Sequence, residues 1–134
     1  MSFEREVHLG LSSVDRAGVI FYPELFRHAH DLYEAFMATL GQALDQLFDQ
    51  AGHAIPIVHA EADYRLPMRH RQSFVVTLRV QRLGKTSFAL SYDFVGAGGE
   101  LCAQVQTVHA FIERASGTPT RLPPELRLGL EGFP

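Results

Sequence analysis

The sequence predicts an α+β fold in which one long amphipathic helix packs on a sheet of antiparallel strands. Three observations carry that prediction. Between Pro23 and Leu40 the apolar residues recur with helical spacing. From Val58 onward the apolar period changes to two. The turn sequences "LGKTS" and "GAGGE" then separate segments of that kind, as hairpins require.

The elements follow in chain order. Phe3 to Leu11 forms a strand, and Ser12 to Gly18 a polar loop. Pro23 suits the first turn of a helix, where its missing N–H costs nothing. Leu25, Phe26, Ala29, Leu32, Tyr33, Phe36, Met37 and Leu40 make one broad stripe along that helix. Its length is about 27 Å at the α-helical rise. Gly41 is its natural cap. A second short helix carries Leu44, Leu47, Phe48 and Ala51 on one face and ends at Gly52. Three strands follow, with Val58 to Leu66, Phe74 to Val80 and Phe88 to Phe94 alternating inward and outward. A last strand runs from Leu101 to Glu113, and the tail holds a helical turn after Pro123. One helix covers only part of such a five-stranded sheet, so the remainder is expected to meet another subunit.

The composition sets limits. The 134 residues are expected to form a single domain, 1–134, with enough core to fold without metal or disulfide. A net charge of −3 gives no broad basic field for nucleic acid or membrane, and neither is expected as a partner. The lone Cys102 cannot form an internal disulfide or a multi-thiolate zinc site. The opening "MSFEREVHLG" has no apolar signal core, and no apolar run approaches ~20 residues. A cytoplasmic protein is the expectation. There is no P-loop or dinucleotide fingerprint, because "GAGGE" joins two strands instead of opening a helix.

The stretch "SSVDRAGVIFYPELF" is where chemistry enters. Asp15 stands in a short loop beside a glycine, with the apolar run Val19 to Phe21 behind it and a helix start just beyond. Apolar neighbours wall water away from a carboxylate. A helix N-terminus presents unpaired N–H groups and positive dipole character. Acyl transfer needs that pairing of a carboxylate with a preorganised oxyanion donor. Taken alone, an aspartate before a loop glycine is more commonly a turn or capping residue. Tyr22 precedes a proline, which biases it toward an extended conformation with a free N–H.

The segment "VDRAGVIFYPELFRHAHDLYEAF", continued by "PIVHAEADYRLPMR" and "TVHAFIER", resembles the hotdog-fold thioesterases of the 4-hydroxybenzoyl-CoA thioesterase family. Within it the likeness is to the branch that hydrolyses 1,4-dihydroxy-2-naphthoyl-CoA in quinone biosynthesis. The resemblance covers nearly the whole chain. It implies a hotdog fold, an antiparallel five-stranded sheet wrapped around one long helix. It also implies an acyl-CoA thioester substrate, no cofactor, and a homo-oligomer that is a dimer or a dimer of dimers. Asp15 falls on the family's catalytic carboxylate, Gly18 on the turn glycine, and Tyr22 on the backbone N–H that polarises the thioester carbonyl. The chain departs from the family after "Pro-Met-Arg", where His70 and Arg71 stand in place of Gly-Asp.

Other candidates are weaker. Gly18, Val19 and His59 are expected to contact substrate, and His59 has a structural hydrogen bond as its rival role. Arg69, Arg71, Arg82 and Lys85 lie at strand ends and turns, where basic residues suit the phosphates of CoA. An ordinary solvated surface explains each of them equally well. Phe21, Tyr22, Phe26, His59 and Tyr64 can line a slot for a planar ring, with Ser12, Ser13 or His59 meeting ring hydroxyls. Glu24 and His28 are i, i+4 and can share a ligand, although an ion pair is the commoner meaning and no metal is expected. Cys102 reads as packing. Asp15 can attack the carbonyl or activate water, and the sequence does not separate the two. Three alternatives stay open beside the naphthoyl thioesterase: a 4-hydroxybenzoyl or short- to medium-chain acyl-CoA thioesterase, a hotdog hydratase, and a non-catalytic acyl-CoA-binding module. The hydratase pattern asks for His five residues after Asp, where Ile20 stands.

Overall fold

The structure, a computed structural model, describes residues 1–44 and 52–134. The short helix expected over 44–51 lies almost wholly outside the described residues.

Helix α1 spans Tyr22–Thr39, one residue earlier than Pro23 suggested. Phe21, not Tyr22, is the extended residue at its start, with φ −69° and ψ 122°. Tyr22 therefore occupies the first helical position and Pro23 the second. Leu25, Ala29, Leu32, Tyr33, Phe36 and Met37 are buried, as the apolar stripe demands. At the other end Gly41 has φ +75°. Its N–H donates to Ala38 (3.1 Å), and the Gln42 N–H donates to Met37 (2.9 Å). These two bonds satisfy carbonyls that the helix end would otherwise orphan.

The five-stranded sheet consists of β1 (Phe3–His8), β3 (Ile57–Tyr64), β4 (Ser73–Leu83), β5 (Ser87–Val95) and β6 (Leu101–Ala110), in the order β1-β4-β5-β6-β3. All its pairings are antiparallel. The two hairpins at "LGKTS" and "GAGGE" are present as expected. The expected strand Phe3 to Leu11 stops at His8. A 3-10 turn over Leu11–Ser13 takes the chain off the sheet toward α1. The expected last strand is also divided. It leaves the sheet at Ala110, and β7 (Ile112–Glu113) pairs with the two-residue β2 (His53–Ala54).

The inner face of the sheet packs on α1 through Phe74, Val76, Leu78, Phe88, Leu90, Tyr92, Phe94, Ala103 and Val105. A polar chain threads this core. Tyr92 Oη lies 3.0 Å from Thr107 Oγ1, which lies 2.7 Å from His109 Nε2. The His109 ring stacks on Phe88 (centroids 4.8 Å apart) and tilts against Tyr33 at 4.3 Å. The tail forms α2 over Pro124–Glu131, longer than the single turn expected. Leu126 and Leu130 pay for that length by full burial. Strand β3 behaves differently. It lies at the sheet edge, and every residue of it except Ala62 is exposed.

Candidate active site

Backbone pairing builds the loop that carries Asp15. The Leu9 N–H donates to Gln72 and the Arg71 N–H to Leu9. Further on, Ile20 donates to Met68 and His70 to Gly18, while Val19 bridges Arg69. The loop is thus sewn to the segment before β4. Within it, the Asp15 N–H donates to Val19 (2.9 Å) and the Gly18 N–H returns to Asp15 (3.0 Å). Gly18 has φ +80°, a conformation that favours glycine. Asp15 Oδ1 accepts the Ala17 N–H at 2.8 Å. That bond orients the carboxylate and leaves most of its acceptor capacity free. The residue is exposed in the single chain.

The start of α1 supplies the donor. The Glu24 N–H is taken by Phe21 at 2.8 Å, and Pro23 has none to offer. Among the described residues nothing accepts the Tyr22 N–H. The first turn therefore presents the Tyr22 N–H as a free backbone donor, at the positive end of the helix dipole. The Tyr22 carbonyl accepts a bond from Tyr64 Oη at 2.7 Å, which ties the helix start to the end of β3. Burial, with Tyr22 nearby, pushes the Tyr64 phenol up, so it remains a donor at neutral pH. Phe21, Tyr22 and Tyr64 are about half exposed or more, with an edge-on contact between the first two. A groove of about 340 Å³ opens beside them, lined by Val19, Ile20 and the run from Tyr64 to Met68.

Beneath the loop, Ser13 Oγ donates to Glu24 Oε1 at 3.0 Å and lies 3.0 Å from His28 Nε2. Arg27 holds both Glu24 oxygens at 3.0 Å and reaches Asp31 at 3.1 Å. Burial raises the Glu24 carboxyl, but the bonds from Arg27 and Ser13 and the charges of Arg27 and His28 outweigh it, and the net shift is down. Burial, aided by Arg27, lowers His28 despite Glu24 and Asp31. The expected ion pair of Glu24 with His28 is replaced by this shared hydroxyl, because Arg27 claims the carboxylate.

Backbone pairing links Asp15, Gly18, Val19 and Arg69, and Tyr22 stands at the helix start that follows them. The structure does not bring His59, Arg82 or Lys85 to them within one chain. His59 sits on the outer phase of β3 with Nε2 3.8 Å from Glu61 Oε1, too far for the structural hydrogen bond weighed above. Arg82 donates to Ser87 at 3.2 Å, in the hairpin at the opposite end of the sheet. Lys85, in the same hairpin, borders an open groove of about 520 Å³ with Arg121 and Arg127. Ser13, expected among the groups meeting a ring hydroxyl, is 2% exposed and its hydroxyl is fully engaged, so it cannot. Phe26 is partly buried and packs against the core. The His70-Arg71 departure keeps a tight turn. Arg71 takes φ 73°, and the Gln72 N–H closes the turn onto Arg69 at 3.1 Å. Among the described residues no cluster of His, Cys, Asp and Glu is arranged to hold a metal. No described helix is long and apolar enough to cross a membrane.

The profile of the thioesterase-like superfamily matches residues 9–130. The chain belongs to that family. It is 31% identical over 132 residues to a 1,4-dihydroxy-2-naphthoyl-CoA hydrolase of Thermosynechococcus vestitus, covering 98% of this chain and 89% of the relative. The enzyme of the same name from Synechococcus elongatus is 32% identical over 126 residues, covering 93% and 90%. The crystal structure of a 1,4-dihydroxy-2-naphthoyl-CoA thioesterase from Synechocystis superposes with a TM-score of 0.91 at 24% identity, covering 97% of this chain and 96% of that one. The hotdog architecture expected from the Asp15 segment is therefore the fold of this protein. The loop, turn and helix start that surround Asp15 all lie inside the matched residues.

Proposed function

We propose that this protein hydrolyses 1,4-dihydroxy-2-naphthoyl-CoA to the free acid and CoA. The observation that carries the reading is the exposed Asp15 carboxylate, set by its loop before the helix start that offers the Tyr22 N–H, in a chain of the thioesterase-like superfamily. The acyl identity rests on the full-length likeness to the two cyanobacterial hydrolases. The Tyr22 N–H receives the carbonyl oxygen as it gains negative charge, a contact typically worth ~3–4 kcal/mol in the transition state. Two routes use the same groups. In one, Asp15 attacks the carbonyl carbon, CoA leaves as thiolate, and water opens the mixed anhydride. In the other, Asp15 takes a proton from the water that attacks. Label recovered in the Asp15 carboxylate after single turnover in ¹⁸O-water establishes the first route, because only an anhydride opened by water at the Asp15 carbon places it there.

The working unit is a homo-oligomer built on a two-fold dimer through β3. The strand is an edge with Ile57, Val58 and Tyr64 exposed, and a sheet edge is a template for a second strand. Antiparallel joining of two β3 strands sets the Tyr64 end of one copy against the Ile57 end of the other. The Ile57 end is the end that carries the hairpin of Arg82 and Lys85. Basic residues from the second copy then face the site of the first, and CoA phosphates are the natural anion for them. Arg69 of the same copy borders the site directly. The test is a panel of aryl- and alkyl-CoA thioesters with free thiol measured continuously. The naphthoyl thioester is expected to give the highest kcat/KM. An aliphatic thioester turned over faster than the naphthoyl and 4-hydroxybenzoyl ones removes the acyl assignment and leaves an acyl-CoA thioesterase.

A further inference from the structure

We propose that Ser13, with Glu24 and His28, is a positioning cluster that locks the Asp15 loop against the start of α1. The inference rests on the roles given above to Asp15 and Tyr22. Ser13 stands two residues before Asp15 and is 2% exposed. Its backbone already closes the loop on the helix, since its carbonyl accepts the Phe21 N–H at 2.9 Å and its N–H donates to Gly10 at 3.0 Å. Its side chain adds a second clamp, to Glu24 and His28 one helical turn apart on the same face of α1.

The bonding capacity of one hydroxyl decides how the clamp works. A serine has one proton to donate and two lone pairs to accept with. An ionised carboxylate only accepts, so the Ser13 proton goes to Glu24 Oε1. His28 must then donate from Nε2, and Arg27 Nη2 fills the remaining lone pair at 3.4 Å. A neutral imidazole with its proton on Nε2 satisfies this arrangement. Every capacity of the hydroxyl is used by the protein, so substrate has nothing to gain from it.

The backbone of Asp15 is bonded to Val19 and Gly18, but its carboxylate has one anchor. Its carboxylate is held by the Ala17 N–H of its own loop, so its place relative to the Tyr22 N–H follows the loop backbone. Loss of the Ser13 hydroxyl frees the loop to shift against the helix start. Misplacement of a reacting group by about 1 Å costs on the order of 10²-fold in rate. The loss appears in kcat and not in KM, because Ser13 touches no substrate.

The experiment compares wild type, Ser13→Ala, His28→Ala, His28→Gln and Asp15→Asn with 1,4-dihydroxy-2-naphthoyl-CoA as substrate, each with a melting curve. Ser13→Ala is expected to lower kcat by about 10- to 100-fold, with KM within about threefold and the melting temperature within about 5 °C. His28→Ala is expected to lower kcat likewise, and His28→Gln, which keeps an N–H donor of similar reach, to recover most of it. If Ser13→Ala does not fold, the two His28 variants decide alone, and equal kcat in both overturns the proposal. A folded Ser13→Ala with wild-type kcat overturns it too, as does a loss confined to KM or accounted for by melting. Asp15→Asn tells the two readings apart. If it keeps full turnover, the catalytic role of Asp15 has failed. If it is inactive while Ser13→Ala is normal, only the positioning cluster has failed.

Discussion

His109 makes the stability of this protein depend on pH in a way that can be isolated. Its side chain is fully buried between Phe88 and Tyr33, and among the described residues its Nδ1 has no partner. Burial first, and the nearby His30 second, depress it from 6.5 to about 3 in the folded chain. The sign follows from linkage. Below pH 6.5 the unfolded imidazole takes up a proton that the folded one refuses, so stability falls as the pH falls. The full contribution is present above pH 6.5, and it is lost progressively until the folded value near 3 is reached. Within that window the slope approaches about 1.4 kcal/mol per pH unit. Between pH 7 and pH 5 the loss from this residue alone is about 2 kcal/mol.

The perturbation that exposes it is His109→Phe, which keeps an aromatic ring between Phe88 and Tyr33 and removes the titration. Thr107 keeps its contact with Tyr92 in that variant. Urea unfolding followed by circular dichroism at pH 7 and pH 5 is the assay, at one fixed protein concentration because assembly shifts apparent stability. Wild type is expected to lose about 2 kcal/mol more than His109→Phe over that interval. The other histidines are common to both chains and cancel in the comparison. Equal losses in the two proteins would refute the argument that a neutral imidazole is trapped in the core.

Four further outcomes are expected. Asp15→Asn keeps the fold, since the side chain is exposed, and lowers kcat by at least ~10²-fold, read by thiol release beside an unchanged melting curve. Tyr64→Phe removes the bond to the Tyr22 carbonyl and weakens the anchorage of the helix start by about 1 kcal/mol, read as a several-fold lower kcat with little change in melting. Gly18→Ala meets no atom within 4 Å of the new Cβ, so its cost is the positive φ alone, about 1 kcal/mol, and wild-type stability would show that the loop re-forms another turn. Val58→Lys, at a position 60% exposed on β3, is expected to weaken assembly in sedimentation and to lower activity with it, whereas an intact, active oligomer would remove β3 from the interface.

The neighbourhood of Asp15 was legible in the sequence because it is local. The loop, Gly18 and the start of α1 lie within a dozen residues, and their bonds depend on turn chemistry, a proline and a helix end. The helix and its Gly41 cap were legible for the same reason, and alternation identified the inward face of β4 and β5. Alternation cannot say which strands are neighbours. Only the tertiary structure placed β3 at an edge beyond the cover of α1, where an alternating strand is exposed on both faces. It also made Ser13, expected to meet a ring hydroxyl, the buried hub of Glu24, Arg27 and His28, because the 3-10 turn after Gly10 carries that hydroxyl under the helix. The bond from Tyr64 to Tyr22 spans 42 residues of chain, and no periodicity encodes a contact of that separation. Arg71 shows the reverse case, a residue without glycine's freedom held at φ 73° because the backbone bonds on either side of it leave the turn no other shape.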